Sequence, residues 1–495
     1  MLFTSFTFAF FFLLVFFLYW FVFSGRLRWQ NLFLLATSYV FYGWVDWRFA
    51  LLLLAISLVN YGLAIVMDGT SNLSGRKLFF SLALIANIGT LVVFKYAGFF
   101  ITSFANLLSL FAVKQDPFTL NIILPAGISF YIFLSLSYII DVYQQKLAAV
   151  RNMTDVLLAF SFFPIILAGP IHRPIGLLPQ IQRQRNFSYD QAVDGLKQVL
   201  WGVFMKILIA DHCAVYVNTI FSNSANFPGS MLLTGIFLFT IQIYADFAGY
   251  SNMAIGISKL LGFSIMKNFA YPYFARDIKV FWTRWNISLT NWFRDYVFLP
   301  VAYASSRRIK SERFLGIHSE VVIYLTGLIV TWVLTGLWHG ANYTFIVWGL
   351  IHATFLFLYH ISFKPRKRWL KRWEISNNNV LFMAFETALT MVIVMFAWIF
   401  FRADNLGQAF AYISGIASWS LFQSPQFALL PEFSTTFAFI ILFLVMEWLG
   451  REHDYAIERL GYRWPKALRW SMYYLLIITI FWFAGERQQF IYFQF

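Results

Sequence analysis

The chain has 495 residues, 60% of them hydrophobic and 12% charged, with 37 Lys+Arg against 22 Asp+Glu and a mean hydropathy of +0.67. Water-soluble domains carry roughly 25% charge, so this composition excludes a soluble enzyme, and the lack of polar linkers excludes a string of soluble domains. The formal charge of +15 does not indicate nucleic acid, because the cations sit in short loops between apolar runs rather than on one soluble face.

In chain order, continuous apolar runs occupy 2–23, 79–94, 122–140, 231–244, 321–334, 345–359, 380–401, 436–446 and 473–483. A backbone in hydrocarbon must satisfy its hydrogen bonds internally, and long unbroken runs predict α-helices where a barrel would show short alternating segments. Several runs reach the ~20 residues that cross ~30 Å of hydrocarbon, and the whole chain predicts an all-α polytopic membrane protein with about eleven crossings. The first run has neither a basic start nor a small-residue cleavage site and is read as a spanning helix rather than a signal peptide. An extracytoplasmic N-terminus places Arg26/Arg28, Arg76/Lys77 and the basic stretches 173–185, 307–313, 366–372 and 451–469 on the cytoplasmic face. The loops at 105–121, 223–230 and 404–432 then lie outside. No internal repeat is visible. The single cysteine, Cys213, excludes a disulfide framework and a cysteine-rich metal site.

Ionisable groups at membrane depth are costly and mark functional sites by default, and three clusters interrupt the apolar sequence. In 243–256, Asp246 stands among small residues directly after an apolar run; a structural role is expected, with an arginine as its partner. In 276–296, charges alternate with aromatics at helical spacing, predicting a helix at the cytoplasmic interface. There Arg284 and Arg294 can meet phosphates, Asp295 serves as a structural charge, and tryptophans set the depth; a plain interfacial anchor is the competing reading. In Gly336-Leu337-Trp338-His339-Gly340-Ala341-Asn342, a histidine able to exchange a proton near neutral pH sits between glycines and beside a flat indole. A histidine that only hydrogen-bonds across the bundle fits the same pattern.

In this order the clusters resemble the membrane-bound O-acyltransferase family, above all its bacterial branch that acetylates exported polysaccharides such as alginate and peptidoglycan. Further resemblance lies in Leu124-Pro-Ala-Gly-Ile-Ser-Phe-Tyr131, Ser137-Tyr-Ile-Ile-Asp-Val-Tyr143, Phe163-Pro164, Ala168-Gly-Pro170 and Phe400-Phe401-Arg402-Ala403. It runs from about 30 to about 405, within one membrane-embedded acyltransferase domain over 1–495 that has extra C-terminal spans at about 434–485. The resemblance implies a cytoplasmic funnel that receives the donor, a deep catalytic histidine at His339, and a tunnel to the opposite face. It also implies acetyl-CoA as donor with no bound cofactor, a bacterial inner-membrane location, and a separate periplasmic acyltransferase as partner. The family commonly has histidine where this chain has Asn286, and often aspartate at Asn252. Asparagine cannot shuttle a proton, which leaves His339 as the candidate base, supported by Trp338, Asn342 and Asn286.

On that reading His339 deprotonates the attacking hydroxyl, and Asn342 or the backbone N–H groups beside Gly340 stabilise the oxyanion. A transient acetyl-histidine is equally compatible with these residues. The aromatic tail 490–495 is a candidate docking strand or a membrane-interface end. The remaining histidines, His352 among them, show no metal-ligand spacing, and no metal is expected. Three alternatives stay open: D-alanyl transfer to teichoic acid, a transporter of lipid-linked glycan, and a membrane subunit without activity.

Overall fold

The computed structural model describes residues 1–111, 123–314, 316–376, 378–427 and 432–491. The expected outer loops 105–121 and 404–432 and the tail 490–495 therefore lie partly outside the described residues. Among those described, the chain is almost wholly helical, and its one β element is a two-stranded turn pairing Arg313–Phe314 with Ile317–His318. Among the described residues, eight helices are long and apolar enough to cross a membrane, and Phe6–Val22 and Ile128–Tyr143 are shorter apolar helices. The expected last span, 473–483, overlaps Lys466–Trp482, whose first turn carries Lys466 and Arg469 and leaves less apolar length.

Contacts group the chain into two compact units, Met1–Leu200 with Tyr250–Met266, and Trp201–Gly249 with Lys267–Phe495. The first unit is held by polar knots inside apolar helices. Asn60 and Asn87 exchange side-chain amide hydrogen bonds at 3.2 and 2.7 Å between Trp47–Gly69 and Leu73–Leu91. Arg185, also buried, donates from Nη2 to Asn31 Oδ1 and from Nε to Tyr19 Oη, both at 2.5 Å, and Asn31 donates onward to Asp155 at 3.0 Å. Unpaired polar groups are costly in such surroundings, so these knots fix helix register as well as adding stability.

The second unit contains Gly229–Leu260 up to Gly249, the short helices of 278–308, and the spans Ser319–His339, Tyr343–Arg372, Val380–Arg402 and Phe433–Gly450. Its central feature is a hairpin. Ser319–His339 ends at Gly340, whose N–H bonds back to Gly336 O, and Asn342 caps the next helix by accepting from Thr344 N at 3.1 Å. The helices touch through glycines: a Cβ at Gly336 would lie 2.2 Å from Phe345 O, and one at Gly349 would lie 2.2 Å from Trp332 O. Only hydrogen fits at this seam, which is how small residues bring membrane helices into backbone contact.

Candidate active site

His339 is the last residue of Ser319–His339 and is 6% exposed. Aromatic rings enclose it: Trp338 and Trp348 at 4.9 Å between centroids and Phe401 at 5.0 Å, each near edge-on, with Phe345 at 6.4 Å. The glycine seam brings Trp348 and Phe345 to the histidine, and Val380–Arg402 supplies Phe401. Trp348 also contacts His352 at 4.9 Å and Trp398 at 5.8 Å. His352 is fully buried and accepts at Nδ1 from Trp282 Nε1 at 3.3 Å. In this layer Trp348 Nε1, His352 Nε2 and Thr344 Oγ1 are buried with no hydrogen-bond partner among the described residues. Buried polar atoms are nearly always paired, so the layer around His339 retains capacity to bind a polar group.

The second cluster differs from the single interfacial helix expected of it. Ile278–Arg284 and Ile287–Phe293 are separate helices, broken where Trp285 is extended and Asn286 takes φ 42°, ψ 54°. Asparagine tolerates this left-handed region better than most residues. The break is locked by the segment before it: Ile287 N donates to Asn268 O at 2.9 Å, Ser288 N to Asn268 Oδ1 at 3.2 Å, and Ala270 N to Arg284 O at 2.9 Å. The tryptophans turn inward rather than anchoring at an interface. Trp282 packs on Trp332, Trp348 and His352, and Trp285 packs on Trp398, so this cluster meets that of His339 through a shared aromatic core.

The two arginines singled out from sequence part company. Arg294 is exposed and paired with its neighbour Asp295 at 2.8 Å. Arg284 lines a cavity of about 400 Å³ together with Arg276, Arg366, Asp277 and Glu386. Glu386 is buried and holds Arg276 Nη2 at 2.6 Å on one carboxylate oxygen and Arg366 on the other. Three guanidinium groups thus border one cavity, an arrangement suited to phosphate. Sequence reading missed Arg276, Arg366 and Glu386 as a group; the signal was Glu386 within an apolar run. Asn342 is committed to structure, since beyond its cap it donates from Nδ2 to Asp404 O at 2.8 Å.

Asp246 corrects another expectation: its partner is a lysine rather than an arginine. Lys206 Nζ lies 2.8 Å from Oδ1 of Asp246 and 2.8 Å from Oδ1 of Asp211, and it donates to Gln488 O at 3.3 Å. A single ammonium can face two carboxylates and a carbonyl at once, whereas a planar guanidinium favours one carboxylate in a fork.

No protein-family model matches the chain. It is 36% identical over 403 residues to the probable alginate O-acetylase AlgI of Azotobacter vinelandii, covering 80% of this chain and 74% of that protein. It is 30% identical over 412 residues to the peptidoglycan O-acetyltransferase of Helicobacter pylori, covering 78% and 73%. The chain belongs to the membrane-bound O-acyltransferase family. As a member of that family it is an acyltransferase and a multi-pass membrane protein. Similarity to the teichoic acid D-alanyltransferase of Bacillus subtilis, also in the membrane-bound O-acyltransferase family, is 28% over 290 residues, covering 55% of this chain and 70% of that protein.

Proposed function

We propose that the protein takes an acetyl group from cytoplasmic acetyl-CoA and passes it across a bacterial inner membrane for O-acetylation of an exported polysaccharide, with a periplasmic acyltransferase as partner. The observation that carries this reading is His339, buried in an aromatic cage at a glycine-fixed helix end, in a chain similar to alginate and peptidoglycan O-acetyltransferases.

The chemistry follows from the residues. A ring nitrogen of His339 takes the proton of the attacking hydroxyl as its oxygen bonds the thioester carbonyl carbon. The C–S bond then breaks, and the departing thiolate regains the proton. General-base help of this kind contributes about 10²–10⁴-fold. Trp338 orients the imidazole, and Asn286 holds the backbone that turns Trp282 and Trp285 toward the cage. Arg284, with Arg276 and Arg366, receives the donor's phosphates, while Arg294 adds long-range attraction at the surface. An acetyl-histidine intermediate uses the same atoms in two steps.

The test is transfer from radiolabelled acetyl-CoA in membranes that also contain the polymer and the neighbouring gene products, comparing the native chain with His339→Ala at matched expression. Label reaching the polymer only with the native chain supports the reading. Equal labelling removes His339 from the mechanism, and labelling from a D-alanyl carrier in place of acetyl-CoA would favour the teichoic acid reading.

A further inference from the structure

A second cavity, of about 740 Å³, opens a full helix length from His339, where Ser319–His339 begins. Lys279 and Lys364 line it together with His318 and His360, against the single carboxylate of Glu320. The first turn of Ser319–His339 also borders it, through Glu320 and Val321. Tyr324 and His360 stack at 4.3 Å to form one wall.

Part of the lining is apolar and exposed. Ile361 and Phe363, 46% and 51% exposed, lie on Tyr343–Arg372 just before that helix turns from apolar to the basic run 364–372. The cavity therefore brings two lysines together with exposed aliphatic and aromatic surface, at the point where the sequence of a membrane-spanning helix turns from apolar to basic. A soluble phosphate would use the cations alone. An amphiphile uses both, with its phosphate beside the lysines and its chains along Ile361 and Phe363.

The geometry points to a binding site for the phosphodiester head of an anionic glycerophospholipid in this cavity. The site is separate from the cage of His339 and does not depend on the identity of the acyl donor.

The probe is dioleoyl phosphatidylglycerol retained by the purified full-length protein from mixed micelles, read by native mass spectrometry. Lys279→Gln/Lys364→Gln should retain it about tenfold less well, since each basic residue near a lipid surface contributes a modest electrostatic attraction. Lys279→Arg/Lys364→Arg should restore retention, and the thermal unfolding midpoint of each variant should match the native chain. Equal retention by the native and glutamine forms overturns the proposal. Displacement of the lipid by micromolar coenzyme A or by inorganic phosphate also overturns it, because the cavity would then belong to a soluble phosphate.

Discussion

The backbone N–H of Ile491 donates to Asp246 Oδ2 at 2.8 Å across 245 positions of sequence. With Lys206 on its other oxygen, Asp246 ties residues near 490 to a buried charge cluster. Lys206→Met would leave Asp211 and Asp246 without a cation, and removing one partner of a buried pair costs about 3–5 kcal/mol. The midpoint of thermal unfolding in detergent should fall sharply. An unchanged midpoint would show that the cluster contributes nothing.

Gly349→Ala and Gly336→Ala place a methyl group 2.2 Å from a facing carbonyl. The hairpin must open, with an overpacking cost of about 1–3 kcal/mol, and acyl transfer should fall because His339 rides on one of the two helices. Gly62→Ala, where a Cβ meets nothing within 4 Å, is the matched control and should fold at least as well as the native chain. Equal behaviour of all three variants would refute a packed seam.

Asn286 separates backbone need from side-chain need. Asn286→Gly keeps the left-handed conformation, whereas Asn286→Val adds strain of about 1–3 kcal/mol. Yield and unfolding midpoint should therefore be near native for glycine and reduced for valine. Two variants with the same yield would argue against this backbone account.

Arg284→Gln should raise the KM for acetyl-CoA about tenfold with kcat little changed, the signature of lost uniform binding in both ground and transition states. A fall in kcat at constant KM would move Arg284 from donor binding to the chemical step.

His172, outside the spans, accepts at Nδ1 from Met266 N at 3.2 Å, and burial lowers its pKa from the ordinary 6.5. The neutral form is thus favoured when folded. Above pH 6.5 both states are neutral and the effect vanishes; as pH falls below 6.5 the unfolded chain gains a proton that the folded chain resists, and stability declines by at most about 1.4 kcal/mol per pH unit. His172→Gln should flatten that decline in unfolding scans between pH 7 and pH 5. A slope that persists in the variant assigns it to other groups.

The helical membrane fold was legible because apolar run length is a one-dimensional signal. His339 as a candidate was legible for a related reason: an ionisable residue flanked by glycines at the end of such a run is conspicuous. Partners were not legible. Lys206 precedes Asp246 by 40 positions, and nothing local distinguishes it from an arginine elsewhere as the counter-ion. The break at Asn286 escaped because the surrounding spacing is helical, and the pairing with Asn268 that stabilises the turn lies 18 residues earlier. Glu386 was visible as a charge in an apolar run, but its two arginines come from separate segments.

The seam between Gly336 and Gly349 divides the labour of the site in a way that matters for engineering. Backbone sets where the imidazole stands, while side chains such as Phe401 and Trp348 set the shape of the room around it. If His339 is the base, as proposed, an engineer seeking to admit a bulkier acyl group can carve the room by trimming rings, leaving the imidazole in place, provided the two glycines are left untouched.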